Sequence, residues 1–298
     1  MLDVRRLRLL CELAHRGTIA AVAEALAYTP SAVSQQLSAL EREADTPLLE
    51  RGGRRVTLTP AAHALVGHAE AVLERLERAA ADLAAGRRGP AGPLRIGAFP
   101  SAARAVVPAA LAILAAAHPD LEPRLRELDP AAVAGALRAG VVDVALVHDY
   151  DFVPVPAEPG VETVALFEEV MFLAAPRTLE PLPGEAHPLR RWRAAPWIVA
   201  PPATRCGTMT VRACEAAGFV PEVRHVVDDF PVVLALVAIG GGVALVPELG
   251  VTADSSDVVL TPLPMHRRTQ AACRRGAGGS PAITAFVEAM RAAEPCRR

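Results

Sequence analysis

The chain contains no lysine and no asparagine, so arginine supplies all 31 of its strongly basic side chains. We attribute that bias to genome base composition and assign it no function. A net charge of −2 excludes a global basic field; residues 1–89 hold twelve Arg against eleven Asp plus Glu, and any polyanion would be met by local placement. No apolar run is long enough to span a bilayer, since the most apolar tract, 232–247, is broken by Gly240-Gly241-Gly242. The start carries Asp3 and a charge every few residues, unlike a signal peptide, which predicts a cytoplasmic protein without membrane contact. Five cysteines, an odd number, argue for a reducing compartment rather than a disulfide scaffold. P-loop, GxGxxG after a strand, GxSxG and HExxH are all missing, and none of the eight histidines stands at metal-ligand spacing from a carboxylate or cysteine. These absences exclude the common enzyme classes and predict no metal and no cofactor. What remains is 298 residues, 52% hydrophobic, enough for two or three cored domains.

Residues 18–60 carry the strongest positive signal. Thr18 is an N-cap for a run of helix formers, Tyr28-Thr29 break that helix, and Pro30 suits the first turn of the next. In the second helix Val33, Leu37 and Leu40 make an apolar stripe at i, i+4 and i+7. Ser31, Ser34, Gln35 and Ser38 make an opposite face of short hydrogen-bonding groups, which Thr29 and Pro30 open. A solvated face normally uses Glu and Lys, whereas small polar groups suit a helix entering a DNA major groove. Downstream, Arg51, Arg54 and Arg55 flank Gly52-Gly53, and Val56-Thr57-Leu58 reads as a strand. That is a basic-tipped hairpin placed to touch phosphate or minor groove, with Arg5 and Arg6 as further phosphate candidates.

On the helix pair with SAVSQQLSALE, on LLER followed by RRVTLTPA, and on the long helix after it, the chain resembles the LysR-type transcriptional regulators. The match is close over the first ninety or so residues and looser beyond. Asp45 and Ala62 stand where many members carry Gly, and Leu49 replaces a frequent Phe. Asp tolerates a left-handed turn, Ala favours helix, and Leu keeps the site apolar. Gln35 stands where Arg is frequent, so the expected role is readout of a base edge, adenine being the best bidentate partner of Gln.

Thr59-Pro60 starts another helix. Leu65, Ala69, Val72, Leu76, Ala79 and Leu83 are spaced 4, 3, 4, 3, 4, a heptad seam expected to pair with a second copy. Two such helices would hold two recognition helices over an interrupted dyad. Gly86 to Pro93 reads as a hinge. From Leu94 the pattern is LRIGAF, helix 105–117, LEPRLREL, helix 131–138, VVDVALV, a βαβαβ run. A second set follows: VMFLAA, WIVA, helix 208–217, VRHVV, helix 230–239 and VALVP. The chain closes with VVLTPL, a weak strand near Gln270 and a helix from about Pro281.

The expected fold is α/β overall. A winged helix-turn-helix spans 1–59, a dimerisation helix 60–88, a hinge 89–93 and a two-lobed effector domain 94–298. Lobe I takes about 94–162 and 267–298, and lobe II about 163–266. The resemblance likewise implies a periplasmic-binding-protein-like effector domain, with GALRAGVVDVALV and GGGVALVPEL looking most like it. Ligands in such domains sit at strand C-termini and helix starts. The candidates there are Phe99, Pro100, Ser101, Leu128, Asp129, His148, Pro201, Thr204 and Cys206, with the Ser101 and Thr204 hydroxyls suited to an anion. Asp228-Asp229-Phe230 reads as a helix cap only, and Trp197 is expected near the cleft.

The implied function is transcription regulation by a homodimer or homotetramer. Its partners are double-stranded DNA, a small-molecule effector, most simply anionic, and RNA polymerase. Binding would close the lobes and change the spacing of the DNA-binding domains. Two rivals stand beside it. One is a redox sensor using Cys206, which sits at a helix start where the dipole lowers a thiol pKa, with Cys214 two turns on. The other is a ligand-binding protein whose helix-turn-helix no longer binds DNA.

Overall fold

The computed structural model describes residues 1–52, 55–86, 89–153, 157–252 and 257–293. Three helices open the chain: α1 (Val4–Arg16), α2 (Ile19–Leu26) and α3 (Pro30–Ala44). Each begins on a side-chain cap. Asp3 accepts from the Arg5 and Arg6 N–H groups, Thr18 from Ala21, and Thr29 from Ala32 at 3.2 Å. α3 ends on Asp45 in the left-handed region (φ 47°), its N–H donating to the carbonyls of Arg42 and Glu41, so the expected turn forms without glycine. Leu10, Val22, Val33, Leu37 and Leu40 close the core of this domain.

Strands β1 (Leu49–Gly52) and β2 (Arg55–Leu58) pair antiparallel as the wing. Glu41 of α3 accepts from the Leu48 and Leu49 N–H groups at 3.0 Å each, which ties the start of the wing to α3. Arg54 lies outside the described residues, as do the side chains of Arg51 and Arg55.

Thr59 caps α4 (Pro60–Ala85), a helix of 26 residues and roughly 40 Å. Its expected seam divides. Leu65 and Ala69 turn toward α1 and pack into the N-terminal core together with Ala62 and Leu73, so they serve this chain's own domain rather than a partner. Val72, Leu76 and Leu83 are 41, 49 and 78% exposed, and Ala79 is exposed beside them. A heptad count locates an apolar stripe; it does not say which neighbour the stripe meets.

The remaining elements are β3 (Gly92–Ala98), α5 (Pro100–Ala105), α6 (Val107–Ala117), β4 (Leu121–Glu127), α7 (Pro130–Ala139), β5 (Val144–Tyr150), β6 (Val161–Pro176), β7 (Pro196–Val199), α8 (Arg205–Ala216), β8 (Glu222–Val226), α9 (Phe230–Ala238), β9 (Ala244–Pro247), β10 (Val258–Arg274) and α10 (Pro281–Ala292). A six-stranded sheet runs β4-β3-β5-β10-β6-β9, with β3 parallel to both β4 and β5 as the βαβαβ pattern requires. β7 and β8 pair parallel in the second lobe. α10 returns to the first lobe, where Phe286 and Met290 pack with Ile96, Leu114 and Leu146.

Three expectations are corrected here. Gly92 and Pro93 are not hinge but the first residues of β3, opposite Leu121 and Glu122. VMFLAA is the second half of a 16-residue strand, β6. VVLTPL and the weak strand near Gln270 are one 17-residue strand, β10, with a register shift between Pro262 and His266. β6 and β10 run antiparallel through both lobes, which therefore share a continuous pair of strands instead of meeting only at connectors.

The N-terminal domain docks on α7. Buried Glu12 of α1 is gripped by Arg16 at 2.6 Å and by Arg138 of α7 at 3.3 Å. Arg16 also donates to the Gly135 carbonyl at 3.3 Å, and Arg8 to that of Arg138.

Candidate functional site

Two surfaces hold the candidate residues. On α3 the apolar stripe is buried and the opposite face is open. Thr29, Pro30, Ser31 and Gln35 are exposed, and Ser34 and Ser38 are half-buried. The Thr29 and Ser31 hydroxyls lie 3.0 Å apart at the first turn. Ser34, Gln35 and Ser38 also border a shallow concavity with Arg42, Thr46 and Pro47. Packing fixes the orientation of this face, because Leu37 and Leu40 on the far side are locked in the core.

The second surface is a cavity of about 410 Å³ between the two lobes of the C-terminal region. Phe99, Pro100, Ser101, Leu128, Asp129, His148, Thr204 and Cys206 line it, so four chain segments distant in sequence converge there. Pro201 does not line it; its carbonyl accepts the Thr204 hydroxyl at 2.8 Å, and Thr204 in turn caps α8. Gly207 permits this turn. A Cβ there would fall 2.4 Å from the Pro201 oxygen and 2.5 Å from that of Ala200.

The floor is built on Arg267 of β10, which is 1% exposed. Its Nε donates to Glu169 at 2.6 Å and its Nη2 to the Ser101 hydroxyl at 3.1 Å, while the guanidinium stands 5.0 Å from the Phe99 ring centroid. Burial works against the cation, and Glu169 with Tyr150 more than restores it. Glu169 also accepts from the Leu249 N–H at 2.7 Å. His148 packs edge-on between Phe99 and Tyr150, with centroids at 4.6 and 5.1 Å. Burial, then Arg267 and Arg205, hold its imidazole well below the ordinary histidine range, so the ring is neutral at pH 7. The Arg205 side chain reaches back to donate to the His148 carbonyl at 3.0 Å.

Two family models together match nearly the whole chain. Residues 4–63 fit the model for the bacterial regulatory helix-turn-helix protein, lysR family, and residues 87–295 fit the LysR substrate binding domain. The chain belongs to the LysR family of transcriptional regulators. HTH-type transcriptional regulator TfdS of Cupriavidus pinatubonensis is 31% identical over 255 residues, covering 83% of this chain and 82% of TfdS. A probable hydrogen peroxide-inducible genes activator of Mycobacterium xenopi is 38% identical over 192 residues, 64% of this chain and 94% of its own. Among solved structures, the LysR family regulator CbnR superposes with a TM-score of 0.55 at 25% identity, covering 97% of this chain and all of that one. The molecule is thus a LysR-type regulator with an N-terminal helix-turn-helix domain and a C-terminal effector-binding domain.

In this LysR-type regulator three sequence expectations about the cleft need correcting. Cys206 sits at a helix start, yet its thiol is not acidified. Burial, with Asp228 next, pushes it up to about 11, and a hydrogen bond with Tyr150 offsets this only in part. Asp228, Asp229 and Phe230 are more than a cap. Asp229 does accept from the Val232 N–H, but all three line the cavity. Trp197 is fully buried in the core of the second lobe, donating to the Trp192 carbonyl at 3.2 Å, and does not line the cleft.

Sequence reading missed Arg104, Tyr150, Arg205 and Arg267 as lining residues of the regulator's cleft. Arg205 was findable, since it directly follows the Thr204 cap. Arg267 was not, because its inward position depends on strand pairing opposite Tyr150. No helix among the described residues is long and apolar enough to cross a membrane, and no group of three or more His, Cys, Asp or Glu among them is arranged to hold a metal.

Proposed function

We propose that this LysR-type regulator reads an interrupted dyad in double-stranded DNA through Ser31, Ser34, Gln35 and Ser38 of α3, with Thr29 and Pro30 at the helix start and Arg51, Arg54 and Arg55 of the wing on the phosphates. A small anionic effector binds between the lobes against Ser101, His148 and Thr204, bordered by Phe99, Pro100, Leu128, Asp129 and Cys206. The observation that carries this reading is the pairing of one open face of small polar groups with one interlobe cavity on the same chain. CbnR, whose structure is known in complex with its target DNA, supports the first half. Val72, Leu76, Ala79 and Leu83 form the contact with a second copy, in a dimer or tetramer, and effector binding alters the spacing of the DNA-binding domains. The regulator works in the cytoplasm and contacts RNA polymerase.

DNase protection upstream of the regulator's own gene, at two salt concentrations, tests this reading. Protection of an interrupted dyad that weakens with salt is the expected result. No protection at low salt from a folded oligomer would favour a ligand-binding protein that has lost DNA binding. A redox reading has one observation in its favour, the place of Cys206 on the cleft wall. The elevated thiol pKa counts against it, because the thiolate is the reactive form.

A further inference from the structure

The lining of the cleft carries charges of both signs. Arg205 at the start of α8 and Arg104 on α5 bond only backbone carbonyls, His148 and Leu249 respectively at 3.0 and 3.1 Å, and neither forms an ion pair among the described residues. Arg267 beside them is neutralised by Glu169. Asp129, at the start of α7 in the first lobe, and Asp228 and Asp229, at the start of α9 in the second, line the same cavity. Asp129 and Asp229 each cap a helix with one oxygen. His148, 8% exposed, lines it as well, and its Nδ1 has no hydrogen-bond partner among the described residues. A neutral imidazole nitrogen buried without a partner costs stability unless a bound group meets it.

We infer that the cleft takes a zwitterion, with its anionic end at Arg205 and the α8 start and a cationic ammonium or guanidinium between Asp129 and Asp228. An amino-acid-like molecule has this chemistry. The proposal rests on the reading of this cleft as the effector site and narrows it: the ligand bears a positive charge as well as a negative one. Independent support comes from Asp228 itself. Burial, then Asp129 and Asp229 together, raise its pKa, so carboxylates from opposite lobes already repel across the opening. A cation between them turns that repulsion into attraction and favours the closed cleft, whereas a simple anion deepens it. The cavity of 410 Å³ suits a molecule of this size.

The test is calorimetric titration of the full-length regulator with three matched sets of probes: the common L-amino acids, the corresponding carboxylic acids lacking the amine, and the corresponding amines lacking the carboxylate. The expected result is that at least one amino acid binds and that removing either charge weakens it about tenfold or more. In Asp228→Asn, and in the cap-preserving Asp129→Asn, the preference of the amino acid over its acid should then disappear. Acids that bind as tightly as amino acids and are weakened by Arg205→Gln would overturn the zwitterion and keep the cleft as an anion site. Amino-acid binding that survives both Asp variants and a cleft-filling Thr204→Trp would show the cleft is not the effector site. Failure of every probe, with the protein folded, would also reject the zwitterion class.

Discussion

Replacing Arg267 with methionine tests the electrostatic floor of the cleft. Methionine approximates the arginine stem in volume, so little cavity forms; what is lost is the cation. Glu169 is only 4% exposed and would keep a single partner, the Leu249 N–H. Breaking a buried ion pair from one side costs about 3–5 kcal/mol, because the remaining charge is stranded away from water. The lost hydrogen bond to Ser101 and the contact with Phe99 add about 1 kcal/mol each at most. For a domain of some two hundred residues each kcal/mol moves the melting temperature by about 2–4 °C. The effector domain of Arg267→Met should therefore melt roughly 6–28 °C below the parent, with a matching fall in urea midpoint. Adding Glu169→Gln should recover most of the loss, since removing both charges leaves no ion unpaired and Gln still accepts from Leu249. A single variant that loses less than about 1 kcal/mol, or a double variant as unstable as the single, would refute the assignment.

Four further outcomes are expected. Gln35→Ala should relax preference at one position of each half-site, worth about 1–3 kcal/mol, in a randomised-site selection. Leu76→Arg with Leu83→Arg should dissociate the oligomer in light scattering while the monomer melts normally, since both side chains are largely exposed within one chain. Asp143 is partly buried, which raises its pKa, yet the Arg95 side chain and N–H at 2.9 and 3.0 Å bring it below the ordinary carboxylate range. A carboxylate depressed on folding stabilises above its ordinary pKa and loses that contribution as pH falls through the depressed value, so Asp143→Asn should be less stable than the parent at neutral pH and equal to it in strong acid. With its thiol near 11, Cys206 should resist iodoacetamide at pH 8 in the native protein, and Cys206→Ser should bind its operator identically with and without peroxide.

The DNA-binding domain was legible because its signals are local. Thr29 and Pro30 mark the start of α3 within one turn, and the period of Val33, Leu37 and Leu40 gives its buried side directly. The cleft was legible at the level of topology, since strand ends and helix starts in a βαβ layout converge whatever their sequence; Phe99, Asp129 and Thr204 followed from that rule. Arg267 and Glu169 did not. Each lies in a charged run, MHRRTQ and LFEEVM, that reads as solvated surface, and only the pairing of β10 with β5 and β6 turns them inward. The partial failure of the α4 seam has the opposite origin. Leu65 and Ala69 were correctly read as apolar-face residues, but α1 of the same chain claims them.

The helix α7 has a place in the molecule that its ten residues do not advertise. Its first turn starts at Asp129, on the rim of the cleft; Gly135 and Arg138, further along, hold Arg16 and Glu12 of the DNA-binding domain. Ten residues of helix make a rod about 15 Å long, too short to bend appreciably. Anything that pulls on Asp129 therefore tugs α1 through the same piece of backbone, like a door handle and latch on one spindle. Communication along that route would stay within one protomer.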